Sequence, residues 1–314
     1  MNVFQAILQR TALATDQAEL GPPLLRVLWR VLLSTNLILL TESLLDVRLA
    51  NPTVPIDAFA SEFIRMGLFA AILAGSFWSR GLAVFAGAAC LLSLSELWRL
   101  VPSGPNHGYL GYLSTCISSL GILLSRNRPL NEEDSTTGSG GACWSAIYAV
   151  RWLVVYVMLW SGLNKLLYAT YFQGEFFASM VHKDPRFARF FTWIVPAAEL
   201  QQIVDAENGP HRFRSLLPIL GANVVYLSEI AAGLLLLFRH TASAGVLLTF
   251  AILVGIEIAA VELVFGGLMV NLLLIYFSRW YVHRGYWLSV AINGLLLGYL
   301  QGRLFDLLPD LGIH

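Results

Sequence analysis

Nine ionisable side chains fall inside otherwise apolar stretches of this chain: Arg26, Arg30, Glu42, Glu96, His107, Arg151, Lys165, Glu229 and Glu257. Charge is costly in apolar surroundings, so such residues pair with one another, face water or serve a ligand. Lys165 stands out, in Trp160-Ser161-Gly162-Leu163-Asn164-Lys165-Leu166. Desolvation disfavours the charged form of an amine, so a buried lysine can act as a general base near neutral pH. Two structural alternatives stand beside that chemistry. A lysine near a helix end can snorkel to the interface, or it can fix helix packing through a carboxylate such as Glu229 or Glu257.

His107 lies in Pro105-Asn106-His107-Gly108-Tyr109-Leu110. An imidazole there can donate, accept or shuttle a proton close to pH 7, or simply hydrogen-bond an interfacial neighbour, while Asn106 can cap the helix that begins there. Arg151 precedes Lys165 by 14 positions, close to four helical turns, which puts both on one helix face at opposite depths. Arg151 then suits a lipid phosphate or a carboxylate. Ser161 and Gly162 are small enough to admit a neighbouring helix or a flat ligand against the backbone.

The elements that must position these residues follow from composition. Of 314 residues 57% are hydrophobic and 13% charged, with formal net charge zero and mean hydropathy +0.66, which predicts an all-α polytopic membrane bundle. Neither nucleic acid nor an acidic polymer is implied as a partner. About 20 apolar residues make a span. Nine candidates meet or approach that length: 24–45, 63–78, 81–98, 107–125, 144–169, 215–238, 241–262, 265–280 and 286–300. The second, eighth and ninth are short, so the expected count is eight or nine. Nothing alternates with period two as barrel strands would.

Arginines in the short loops favour a cytoplasmic N-terminus, which places the Lys165 end of the fifth span on the outer face, with the 170–214 connection. The expected organisation is an N-terminal segment 1–23, a first transmembrane half 24–130, a flexible glycine-rich linker 131–143, a second half 144–301 and a tail 302–314. Arg186-Phe-Ala-Arg-Phe-Phe-Thr-Trp-Ile-Val-Pro-Ala-Ala-Glu-Leu200 reads as an amphipathic run suited to a helix lying in the outer interface. The N-terminus lacks a signal-peptide pattern, so the first span is expected to act as an uncleaved anchor. Cys90, Cys116 and Cys143 form no CxxC pair and have no histidine at metal-ligand spacing, so no metal is expected, and Cys90 and Cys116 read as packing residues. No internal repeat is evident, which disfavours inverted-repeat transporter folds.

Asn106-His107-Gly108-Tyr109-Leu110, Arg151, Ser161-Gly162-Leu163-Asn164-Lys165-Leu166, Phe172-Gln173-Gly174-Glu175-Phe176 and Val264-Phe265-Gly266 together resemble the horizontally transferred transmembrane (HTTM) domain. That family includes the membrane portion of the vitamin K-dependent gamma-carboxylase. The resemblance runs from about Arg30 to Phe277. It implies Lys165 as the base that deprotonates a reduced isoprenoid quinone of the menaquinone or vitamin K type, and His107 as a contributor to the oxygenation step. The oxidised product is the strong base that prepares a glutamate for carboxylation, a lyase-type reaction. Asn106, Tyr109, Arg151, Trp160, Gly162, Gly174 and Glu257 are the residues expected around the quinone. Where the family often has a histidine before the Phe-Gly turn, this chain has Glu257, and no large lumenal region like the carboxylase's is expected after the spans.

Two functions are therefore expected. One is a carboxylase-like, quinone-dependent enzyme of the bacterial inner membrane, in contact with membrane lipid. The other is a non-enzymatic scaffold that assists maturation or export of a secreted peptide or binds a membrane protein partner.

Overall fold

The computed structural model describes residues 21–50, 59–100, 106–126, 139–168, 171–183, 185–206, 209, 211–260, 263–277 and 286–307. No strand occurs among them. The helices are α1 (Gly21–Ala50), α2 (Ala60–Gly75), α3 (Leu82–Leu100, preceded by a 3-10 turn Ser79–Gly81), α4 (Asn106–Arg126) and α5 (Ser139–Leu167). There follow three short helices, α6 (Glu175–Lys183), α7 (Pro185–Phe191) and α8 (Ala197–Val204), and then α9 (Leu216–Leu237), α10 (Ala242–Ala260), α11 (Leu263–Leu273, continued by a 3-10 turn Leu274–Phe277) and α12 (Tyr286–Leu307).

Six helices among the described residues are long and apolar enough to cross a membrane: Gly21–Leu45, Ser79–Leu100, Gly108–Ser125, Gly141–Leu167, Leu216–Leu237 and Ala242–Ala259. Leu263–Phe277 and Tyr286–Leu300 are apolar but shorter, and α2 has 16 residues. These are the three candidates whose sequences are also short. The 131–138 part of the expected linker lies outside the described residues, whereas Ser139–Cys143 belong to α5. Most of the expected N-terminal segment, 1–20, and 308–314 of the expected tail also lie outside them. Residues 302–307 continue α12.

The chain divides into two compact units, Met1–Ala14 with Val154–Gly266, and Thr15–Leu153 with Gly267–His314. In the second of these, α1 is the centre: Leu24, Leu25, Leu28, Trp29, Leu32 and Leu33 are all fully buried. Its first turn carries Pro22 and Pro23, tolerated because the first N–H groups of a helix have no intrahelical partner. Polar side chains tie this unit together. The Trp29 indole N–H donates to Ser119 Oγ at 2.9 Å, Asn36 donates to Thr115 Oγ1 at 2.7 Å, and Asn271 donates to Asn293 Oδ1 at 2.9 Å. In lipid, where apolar side chains gain little by meeting each other, such bonds and close packing hold helices together. Glu96, only 1% exposed, forms an ion pair with Arg65, whose Nε lies 3.1 Å from Oε1, and accepts from Arg99 Nε at 3.0 Å.

In the first unit, α6, α7 and α8 form a small subdomain with its own core of Ala178, Val181, Phe187, Phe191, Val195, Leu200, Ile203 and Phe213. The expected single interfacial helix from Arg186 is therefore replaced by two helices and a turn. Pro196 has no N–H to donate and sits in an extended conformation before α8, which ends one helix and starts the next. Phe187, Phe191 and Val195 turn their apolar faces into the subdomain core. Trp193 in that turn is left largely exposed, at 85%.

Candidate functional site

Lys165 sits in the last turn of α5. Its ammonium donates to Glu229 Oε1 on α9 and to Ser161 Oγ, one turn earlier on its own helix, at 3.1 Å. It also lies 5.2 Å from the centre of the Tyr171 ring, within cation–π range. The lysine side chain is 19% exposed and that of Glu229 5%. Of the two carboxylates that the sequence offers as partners, Glu229 takes the lysine.

The pairing depends on how closely two helices approach. A Cβ on Gly162 would stand 2.8 Å from the Tyr226 carbonyl oxygen and 3.0 Å from Ile230 N, both backbone atoms of α9. One turn on, a Cβ on Gly233 of α9 would stand 3.1 Å from Leu159 N of α5. Each helix thus presents a glycine to the backbone of the other, the small-residue contact that lets helices meet in membranes. The space that Gly162 leaves open is filled by α9, which decides between the helix and the flat ligand that its size permits.

Tyr171 reaches Lys165 because the chain reverses sharply after α5. Gly174 has φ +71°, a left-handed conformation that L side chains rarely adopt, and its N–H donates to Tyr171 O at 3.0 Å. Gly174 therefore shapes the turn. Asn223 on α9 holds the same turn through a bond to Phe172 O at 3.1 Å, and accepts one from Tyr226 Oη at 3.1 Å. Tyr171 stacks on Phe176 at 4.9 Å and meets Phe177 edge-on at 5.6 Å, giving the lysine an aromatic roof.

One atom in this cluster is left over. Glu229 Oε2 is buried and accepts no hydrogen bond from the described residues. Buried carboxylate oxygens normally find a donor, so an orphaned one marks a place where a donor fits. The arrangement can hold a proton on Lys165 or pass it to Glu229 Oε1, and Oε2 remains able to accept a hydrogen bond. Glu229 is the residue that a reading centred on Lys165 left as one option of two, and only its carboxylate within an apolar span signals it in the sequence.

The remaining candidates are dispersed. Trp160 is 48% exposed and stacks on Tyr156 at 6.0 Å on the outward side of α5. Glu257 is half-buried against Gly266, where a Cβ would collide with its carboxylate. Arg151 belongs to the other unit. It is 1% exposed, donates to Ile275 O and lies 5.3 Å over the Tyr276 ring, so no lipid phosphate reaches it. Asn106 and His107 open α4, with Tyr109 half-buried in the same turn; the side chains of the first two lie outside the described residues. The Cys90 and Cys116 thiols are buried 3.5 Å apart and Cys143 is buried too. No group of three or more metal-ligating side chains occurs among the described residues.

Described residues that are all helical or in turns, with six apolar helices of spanning length among them and a largely buried Lys–Glu pair between two helices, have the build of an integral membrane protein. No family model, curated protein or solved structure matches the chain.

Proposed function

We propose that this chain is an HTTM-type integral membrane protein, similar to the membrane portion of the vitamin K-dependent gamma-carboxylase, in which Lys165 and Glu229 together form the proton-handling centre. The reading keeps the eight- or nine-span count, the cytoplasmic N-terminus and the location in a bacterial inner membrane, with the Lys165 end on the periplasmic side.

The observation that carries it is the orphaned Glu229 Oε2 beside a lysine held in place by Ser161 and the Tyr171 ring. That oxygen fits the hydroxyl of a reduced isoprenoid quinone, whose chemistry would be to supply an acidic O–H and reducing equivalents. The chain's own residues do the rest. Lys165, once its own proton has passed to Glu229 Oε1, takes the hydroxyl proton as base, Glu229 Oε2 accepts the hydrogen bond that orients the hydroxyl, and the aromatic roof of Tyr171, Phe176 and Phe177 excludes water. His107 remains the proposed partner in oxygenation.

A second reading is favoured by the Gly162–Gly233 crossing: the pair is a polar lock between α5 and α9 in a non-enzymatic scaffold for a secreted peptide or membrane protein. Mass spectrometry of lipids bound to the purified protein separates the two. The enzyme reading expects a quinone with the wild type and its loss from a folded Glu229→Gln variant, and a folded but inactive Lys165→Arg, since a guanidinium cannot act as a base near pH 7. Consistent absence of quinone from the wild type, with Lys165→Arg fully functional, selects the scaffold.

A further inference from the structure

Near the start of its apolar span Gly21–Leu45, α1 carries two arginines one helical turn apart, Arg26 and Arg30. Arg26 is exposed on a helix that is otherwise largely closed over, and Arg30 is half-buried. Arg30 Nη2 donates to Ser76 O at 2.8 Å, and its guanidinium carbon lies 4.4 Å over the Phe77 ring. That bond serves the end of α2, where carbonyls lack helical partners. It fixes where Arg30 points but supplies no counterion. Arg30 Nε has no acceptor, and no carboxylate among the described residues pairs with either arginine.

The same bond sets the depth of the cluster. It joins the start of the α1 span to the turn from which the Ser79–Leu100 span departs, so these ends lie at one face of the membrane. Phe77 and Trp78 in that turn are 59% and 64% exposed, and exposed Arg80 follows them. Tryptophan beside arginine is the composition of the headgroup level of a bilayer.

We propose that Arg26 and Arg30 bind the phosphate of an anionic phospholipid beside Trp78. Phosphate oxygens accept from the planar guanidinium fork, and one phosphate shared by both arginines relieves the repulsion of like charges one turn apart. Arg30, held by Ser76, presents its charge at a fixed place; Arg26 reaches the headgroup from the exposed side. A zwitterionic headgroup brings its own ammonium to compete for the phosphate, so the site prefers lipids of net negative charge. It is separate from the Lys165–Glu229 pair, which belongs to the other unit.

Native mass spectrometry of the full chain in a neutral detergent, titrated with phosphatidylglycerol or phosphatidylcholine, tests the site. The wild type is expected to bind phosphatidylglycerol at least about fivefold tighter, the worth of one basic residue near an anionic lipid surface. Arg26→Gln and Arg30→Gln should each lose about fivefold for phosphatidylglycerol and little for phosphatidylcholine. Arg239→Gln, which removes an exposed arginine in the other unit, should keep the preference, and excess inorganic phosphate should not displace the lipid. Equal wild-type affinities for the two lipids overturn the proposal; that is the result if carboxylates outside the described residues, such as Glu132, Glu133 and Asp134, already neutralise the arginines. An equal loss in Arg239→Gln overturns it in favour of diffuse surface charge, and displacement by phosphate overturns it in favour of a soluble anion. If Arg30→Gln fails to fold, Arg26→Gln decides alone, and an undiminished preference there also overturns it.

Discussion

Removing the Lys165 ammonium strands the Glu229 carboxylate. That carboxylate is 5% exposed, its Oε1 would lose the lysine and its Oε2 already lacks a donor. Breaking a buried pair from one side in this way costs about 3–5 kcal/mol. Glu229→Gln from the other side is milder, about 1–2 kcal/mol, because Lys165 is 19% exposed and its long stem can carry the ammonium toward solvent. The double variant Lys165→Ala/Glu229→Gln has no uncompensated charge, so it should be less destabilised than Lys165→Ala alone. The expected coupling energy is about 2 kcal/mol or more. Thermal unfolding of the four proteins in one detergent, followed by intrinsic fluorescence, measures it. Single-variant losses that simply add, to within about 0.5 kcal/mol, would refute the pair as an energetic unit.

Gly162→Val should cost more than its surface area predicts, about 1–3 kcal/mol, because the new atoms meet α9 backbone that cannot rotate away; the check is a melting shift that Gly162→Ala shows in smaller degree. Glu199 accepts from Arg214 N at 2.6 Å, Ser215 N at 3.0 Å and the Ser215 hydroxyl. Burial raises its carboxyl, but the Ser215 and Arg214 bonds outweigh that and hold it below 4.5. Its contribution is therefore present above about pH 4.5 and lost as the pH falls through the lower folded value, and Glu199→Gln should flatten the acid limb of hydrogen exchange at 213–218. Glu96→Gln leaves Arg65 and Arg99 without their shared carboxylate; about 1–3 kcal/mol of destabilisation is expected, since Arg99 is 42% exposed. An unchanged melting temperature would show that the cluster adds nothing.

Hydrophobic runs alone told the helical build, because a chain with this composition can satisfy its backbone in lipid only through helices. The same runs placed Lys165 near the end of α5 and flagged Gly162 beside it. Glu229 stayed ambiguous for a plain reason: no periodicity relates two helices separated by a whole subdomain, so Glu229 and Glu257 look equivalent until the helices cross. The 186–200 run reads as a single amphipathic helix because it gathers aromatics and Arg189 within a short stretch. Its apolar faces instead close on Val181, Leu200 and Ile203, contacts that arise only after Pro196 breaks the run. Arg151 reads from its helix position as suited to a lipid phosphate or a carboxylate, yet its acceptor is a backbone carbonyl, Ile275 O, 124 residues on. Asn36, Thr115, Asn271 and Asn293 are uncharged and so do not stand out as ionisable groups do, although in apolar spans amides and hydroxyls carry the same signal.

The Lys165–Glu229 pair joins residues 64 positions apart. At a synthesis rate of about 5–20 residues per second, the lysine is joined to the chain roughly 3–13 s before its partner. During that interval α5 carries a lone charge, with only Ser161 within its own helix to receive it. The nascent chain must park Lys165 at the membrane surface until α9 arrives, so the order of synthesis makes α5 a late-settling helix.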